Sequence, residues 1–391
     1  MIPELLAPAG NLDKLKIAYK YGADAVYVGG VRFGLRSGAD NFSNEDLAVA
    51  AKFAHDHGKK LYVTLNAFLH NQDMEGLGEF VAYLETIGID ALIVSDLGVV
   101  TEVTQYCNIP VHLSTQASCL NVSSAKVWKA LGVERVIVGR ELTVEETSTI
   151  KREAGMEVEM FIHGAMCSAY SGNCTISNYT AGRDSNRGGC KQSCRFDYSM
   201  ESSEEDLTFM SSKDLMGINY LPEFIESEID SVKIEGRMKS ELYVAITCKS
   251  YRTAIDASVA GGFEKTAAWE EELNRAPNRG FTEASLRKEA EDDSISRVFK
   301  ENPNKYNFLG TVLDVDFGKM FIHLKNPIRK GEKIEIMTFL GENKVCQFDQ
   351  MSDYVGNNIE AGRQNQIIVV DPVEGVLSGM VVRAFIEGVA V

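Results

Sequence analysis

No apolar run in the 391-residue sequence is long enough to cross a membrane, and the opening MIPELLAPAG lacks the basic stretch and apolar core of a secretion signal. Those absences point to a cytoplasmic chain with no membrane partner. Cationic residues are in deficit: 40 Lys+Arg against 56 Asp+Glu leave a formal net charge of −16. Such a chain repels nucleic acid on average, so any RNA contact needs a local basic face. Several mechanistic motifs are missing as well. There is no GxxxxGK[ST], no GxGxxG after the first apolar run, and neither HExxH nor GxSxG. A hydrophobic share of 45% and a charged share of 25% describe a globular chain, and its length suggests two or three domains.

What is present, over the first 260 residues, is one repeated pattern. Short runs rich in Val, Ile and Leu, at 4–8, 24–29, 60–66, 90–96, 110–116, 135–141, 157–163 and 231–237, alternate with amphipathic stretches. Eight strands alternating with helices predict a parallel sheet closed as a (β/α)₈ TIM-like barrel over residues 1–260, with a doubly wound open sheet as the alternative. The connection at 164–230 between the seventh and eighth strands is far longer than usual and reads as a functional insertion on the catalytic face. Residues 261–304 read as a charged linker with a helical segment. From 305 to 391, short strands with regular turn signals predict a small C-terminal antiparallel β-barrel.

Strand alternation assigns side chains to the barrel interior. In the seventh strand it selects Glu159, Phe161 and His163, and in the eighth Lys233, Glu235 and Arg237. Asn66 ends the third strand's inner row, Gln116 the fifth's, and Arg140 closes the sixth. Burying so many polar groups without partners costs several kcal/mol each. They form either an inert salt-linked network or an active site. In the second case Arg140, Lys233 and Arg237 bind an anion, Asn66 and Gln116 add hydrogen bonds, and His163, Glu235 and Glu159 are the acid–base candidates. Arg183, Arg187, Lys191 and Arg195 stand against only Asp184 within 180–196, which makes that stretch either an RNA-binding face or a solvated loop.

Half of the eight cysteines, Cys167, Cys174, Cys190 and Cys194, fall within 28 positions. Reduced thiols clustered in a cytoplasmic chain suggest metal or redox chemistry rather than disulfides. The spacing C-x₆-C-x₁₅-C-x₃-C fits no common zinc knuckle, and its glycine-rich surroundings suit the backbone approach of an iron–sulfur cluster. On spacing, a cluster, a zinc site and incidental thiols all stay open.

The blocks PELLAPAG, EMFIHGAMCSAYSGNCTIS, GGCKQSCR and KIEGRMKS resemble those of the collagenase-like peptidase family of unassigned catalytic type, and the resemblance spans the whole barrel and the C-terminal domain. It implies a [4Fe–4S] cluster on Cys167, Cys174, Cys190 and Cys194. Some relatives take one ligand from the eighth strand, but Val232 stands there, so the GGCKQSC pair supplies the third and fourth. The architecture is most similar to the family's tRNA-modifying branch. That implies conversion of wobble uridine to 5-hydroxyuridine in the tRNA anticodon region, independent of oxygen, with prephenate as co-substrate and room for a paralogous partner protein. A genuine collagenase-like peptidase and a hydroxylase acting on rRNA are the alternatives.

Overall fold

Apolar runs of three to nine residues line up as a parallel ladder in the computed structural model, which describes all residues except 36–39, 200–207, 209, 265–266, 298–305 and 387–391. The strands of this sheet are β1 (Glu4–Pro8), β2 (Ala25–Gly29), β3 (Lys60–Leu65), β4 (Ala91–Val94), β5 (Val111–Leu113), β6 (Val133–Ile137), β7 (Glu157–Ala165), β8 (Asp214–Met216), β9 (Ser231–Ile234) and β10 (Phe281–Thr282). Six helices alternate with the first seven strands: α1 (Leu12–Lys20), α2 (Asn44–Asp56), α3 (Leu77–Thr86), α4 (Leu97–Tyr106), α5 (Val122–Ala130) and α6 (Val144–Ala154). Side-chain caps start most of them. Ser43 with Asp46, and Thr143 with Glu146, each satisfy two otherwise orphaned N–H groups at a helix start.

β1 to β7 follow one another around the ladder, and β9 closes it by pairing in parallel with both β7 and β1, so that Val232 lies opposite Met160 on one side and Leu5 on the other. The expected (β/α)₈ barrel is therefore the fold. Several strands end earlier than the runs read from the sequence, β4 at Val94 and β9 at Ile234 among them. β5 stops at Leu113, because Thr115–Ala117 turns into a 3₁₀ helix, and β6 stops at Ile137. Gln116 and Arg140 thereby leave the ladder for the loops on the catalytic face.

The long connection before β9 is more structured than a single loop. It carries the short helix α7 (Ile176–Ala181), then β8, which pairs antiparallel with the end of β7, and then α8 (Leu221–Glu226). After the long helix α9 (Glu241–Val259), the stretch read as a linker packs on the barrel flank. It holds α10 (Ala267–Leu273), buries Leu273, Ala276 and Leu286, adds β10 alongside β8, and pairs buried Arg279 with Asp214 at 2.7 Å.

The C-terminal strands are β11 (Tyr306–Asp316), β12 (Lys319–Leu324), β13 (Ile328–Arg329), β14 (Lys333–Met337), β15 (Lys344–Gln347), β16 (Ser352–Asp353), β17 (Ala361–Gly362), β18 (Ile367–Val370) and β19 (Val381–Phe385). Seven of them form an antiparallel half-barrel over a core of Leu309, Ile322, Ile334, Ile336 and Ile368. Bulges in β11 between Val312 and Asp314, and between Phe308 and Gly310, add the local bend that curls the sheet. The domain boundary read at 304/305 lies outside the described residues. Tyr21 joins the two domains, donating to Met337 O at 2.6 Å and accepting from Val381 N at 2.9 Å. Arg383, fully buried, adds ion pairs to Glu272 at 2.7 Å and Glu335 at 2.6 Å. No described helix is long and apolar enough to cross a membrane.

Candidate active site

At the end of the barrel where the strands begin, the interior is ionic and closed upon itself. Arg135 on β6 reaches Glu4 at 2.6 Å, Glu157 at 2.8 Å and Glu159 at 3.3 Å. Glu159, with no exposed surface, also accepts from Lys233 Nζ at 2.8 Å, and Tyr62 donates to Glu4 at 2.7 Å. Burial alone would raise the Glu4 carboxyl, but Arg135, Tyr62 and Lys60 together hold it below the usual carboxylate range. His112, packed edge-on against Tyr62, is pushed well below its ordinary value by burial and then by the Arg135 and Lys233 charges, so it stays neutral. Each charge in this layer thus has an opposite charge beside it, the condition under which buried ions persist.

The other end opens into a cavity of about 680 Å³. From the barrel strands and their ends it is lined by Asn66, Gln116, Arg140, Lys233, Glu235 and Arg237, and from the segment between β7 and β8 by Cys167, Cys174, Cys190 and Cys194 with Arg183, Lys191 and Arg195. Most of the residues chosen from the sequence therefore meet in one place. Lys233 bridges the two layers: its ammonium pairs with Glu159 below and lies 4.5 Å from the Tyr27 ring and 5.6 Å from that of Phe161. Arg237 crosses the interior to donate to Thr64 at 3.0 Å and to Asn41 at 2.8 Å. Gly29 makes room for it, since a Cβ there would sit 2.5 Å from the guanidinium. Arg140 stacks on Phe161 at 3.9 Å and makes no hydrogen bond or ion pair to any described residue. A partly buried guanidinium left this way, facing a cavity, has its hydrogen-bonding fork available to an anion. The Tyr27 hydroxyl lies 3.0 Å from Ile234 O and 3.2 Å from a Glu235 carboxylate oxygen, two acceptors that share its one proton, and Asn66 reaches Gln116 at 3.5 Å.

Three assignments from the sequence are corrected by the geometry. Alternation alone puts His163 in the barrel interior. A bulge in β7 between Phe161 and His163 inverts the alternation, and the imidazole turns outward to Tyr243, Tyr251 and Phe281. It sits 3.2 Å from Tyr251 Oη, and burial, reinforced by the Lys239 charge, drives its pKa down to about 3. Gly164, at φ +105°, lets the bulged strand pass against the Glu235 backbone, where a Cβ would approach Glu235 O to 2.3 Å. Glu159, an acid–base candidate by sequence, lies beneath the cavity as the counter-ion of Lys233 rather than on its wall. Arg187 leaves the basic face as well, because Asp73 pairs with it at 2.5 Å and His70 lies at 3.1 Å. Sequence reasoning missed Arg135 and Glu4. Their signal was the same strand alternation, applied to the strand beginnings rather than to the ends.

The thiols fit an iron–sulfur group in number, in softness and in lining one cavity. Cys194 is raised by burial and further by neighbouring Cys167 and Cys190, while Ser168 and Arg195 pull it down. The Ile176 N–H donates to Cys174 Sγ at 3.4 Å, the type of backbone bond that cluster sulfurs receive. Among the described residues, no three His, Cys, Asp or Glu side chains close on a point as one metal ion would require.

The sequence profile described as peptidase family U32 matches residues 10–296, and that of the peptidase family U32 C-terminal domain matches residues 304–383. The chain is 43% identical to tRNA hydroxylation protein P1 of Bacillus subtilis, over 94% of this chain and 91% of that protein. It is 33% identical to tRNA hydroxylation protein P of Escherichia coli, with 86% of each chain covered. It is also 32% identical to a collagenase of Porphyromonas gingivalis, over 71% of this chain and 72% of that protein.

Proposed function

The chain belongs to peptidase family U32, and on that premise we propose that it is an RNA hydroxylase: it converts wobble uridine of tRNA to 5-hydroxyuridine, with prephenate as co-substrate and a [4Fe–4S] cluster on Cys167, Cys174, Cys190 and Cys194. The observation that carries the reading is the joining of four thiols and three cations, Arg140, Lys233 and Arg237, in one cavity. The similarity to the two tRNA hydroxylation proteins, which extends through the half-barrel, supports tRNA as the substrate.

Each part of the cavity then has a task. Prephenate carries two carboxylates, and Arg140 with Lys233 and Arg237 supplies the charge to pair them. Asn66 and Gln116 offer amide groups that match the hydrogen-bonding edge of a pyrimidine. Glu235, held by Tyr27, is the remaining group placed to take or give a proton. Replacing a C–H by C–OH removes two electrons from the base; prephenate, as the co-substrate, is the acceptor that balances them, and the cluster supplies electron-transfer chemistry when bound.

Hydrolysis finds weaker support. A thiol or hydroxyl nucleophile is usually activated by a histidine, and His163 points away from the cavity, whose described wall contains no histidine. The test uses protein purified without oxygen, tRNA lacking the modification, and prephenate, followed by mass analysis of the nucleosides. A uridine heavier by one oxygen is expected, and it disappears without prephenate or in Cys174→Ser. Unmodified tRNA together with release of peptides from collagen would refute the reading.

A further inference from the structure

The segment between β7 and β8 that lines the cavity exposes aromatic rings. Tyr170 is 64% exposed, Tyr179 88% and Phe196 43%. Isolated exposed apolar side chains are ordinary. These three, however, share one stretch of backbone with Gly172, Ser177 and Arg195, which line the cavity. The fold holds Tyr179 outward: Ser177 and Thr180, one turn apart on α7, both bond Ser193, at 3.2 and 2.7 Å, so that the opposite face of α7 carries Tyr179. Tyr198 of the same segment tucks its hydroxyl onto Ser193 O at 2.6 Å, whereas the Tyr170 and Tyr179 side chains bond no described residue.

The same segment carries cations. Arg183 and Lys191 are exposed, line the mouth, and have no side-chain hydrogen bond or ion pair to any described residue. In a chain of net charge −16, unopposed positive charge at the mouth is a local reversal of sign. Exposed rings and unopposed cations carried on one segment beside the cavity complement a polyanion that carries flat apolar groups.

We infer that this rim is the docking surface for a single-stranded RNA loop, whose bases stack on Tyr170, Tyr179 and Phe196 while Arg183 and Lys191 take its phosphates. The inference rests on the RNA-hydroxylase reading of the cavity and adds the surface that selects the form of RNA. A duplex hides its base faces, whereas an unpaired loop presents them to aromatic side chains. The base to be modified must also leave its stack to enter the cavity.

Binding of a labelled tRNA anticodon stem–loop, and of the same sequence closed into a full duplex, to protein purified without oxygen tests the inference. The wild-type chain should prefer the stem–loop. Tyr170→Ala with Tyr179→Ala should weaken that binding by roughly ten-fold or more and leave duplex binding unchanged. Tyr179→Phe should retain it, because the ring does the stacking. Arg183→Ala with Lys191→Ala should flatten the slope of log K against log salt by about 1.4, roughly 0.7 for each phosphate that no longer meets a cation. Equal binding of loop and duplex, or an aromatic double variant that binds the loop like wild type, overturns the inference. So does a wild-type chain that binds no RNA, which would give the rim to a protein partner. Loop binding that depends on the rim, with no hydroxylated nucleoside formed, leaves the rim standing and removes only the chemistry proposed for the cavity.

Discussion

The two ends of the barrel interior hold similar residues and treat them in opposite ways. Where the strands begin, Glu4, Arg135, Glu157, Glu159 and Lys233 neutralise one another at 2.6 to 3.3 Å. Where the strands end, Arg140, Lys191 and Arg183 face open space with no described partner for their charge. Both ends carry buried or half-buried charge, so charge alone does not identify a functional site. Completion does. A network whose ions all pair internally stabilises or orients the fold, while cations left incomplete around a cavity anticipate charge from outside. Lys233 belongs to both ends, fixed from below by Glu159 and presented above to the cavity.

Substitutions at the two ends should separate stability from activity. The largest stability effect is expected at the closed end. Glu159→Gln leaves the buried Lys233 and Arg135 short of an anion and should destabilise the chain by about 3–5 kcal/mol in urea denaturation. A loss below about 1 kcal/mol would mean that water already serves those groups. At the open end the pattern should invert. Arg140→Ala breaks no ion pair, gives up only its stacking on Phe161, and should cost about 1 kcal/mol of stability or less, while raising the KM for prephenate by roughly 30- to 100-fold, the loss of about 2–3 kcal/mol of charge-assisted bonding. Arg140→Lys should recover little, since an ammonium lacks the planar fork. Unchanged steady-state kinetics in Arg140→Ala would collapse the distinction between the two ends.

The smallest effect concerns His163, the residue that the bulge removed from the site. Its folded pKa of about 3 lies below the ordinary 6.5, so the unfolded chain binds more protons between those values. Stability contributed by neutral His163 is therefore complete above pH 6.5 and is lost as pH falls through that window, by at most about 1.4 kcal/mol per pH unit. His163→Asn should remove this slope in denaturation at pH 7 and pH 5, and hydroxylation at pH 7 should stay within a few-fold of wild type. Loss of a thousand-fold or more in activity would restore His163 to the catalytic set.

How far the sequence disclosed this arrangement differs by feature. The barrel was legible because each strand is an apolar run with a period-two inner face; Lys233 faces inward as alternation requires, while Glu235 and Arg237 line the cavity from the loop that follows β9. His163 was misplaced because a single-residue bulge reverses that alternation and leaves no mark in composition. Arg187 read as part of a basic face because Asp73, its partner, lies 114 positions away. The place of the cysteines on the catalytic face was legible from topology, since they follow the seventh strand, whereas their meeting with Arg140 in one cavity follows from the path of the chain between β7 and β8, which residue spacing does not encode.

The central claim is that the four thiols hold a cluster in the cavity that the cations line. Iron, zinc and acid-labile sulfide content of protein purified without oxygen, together with its visible spectrum, tests it most directly. About four irons and four sulfides per chain, lost in Cys174→Ser, are expected. One zinc per chain and no sulfide would contradict the account.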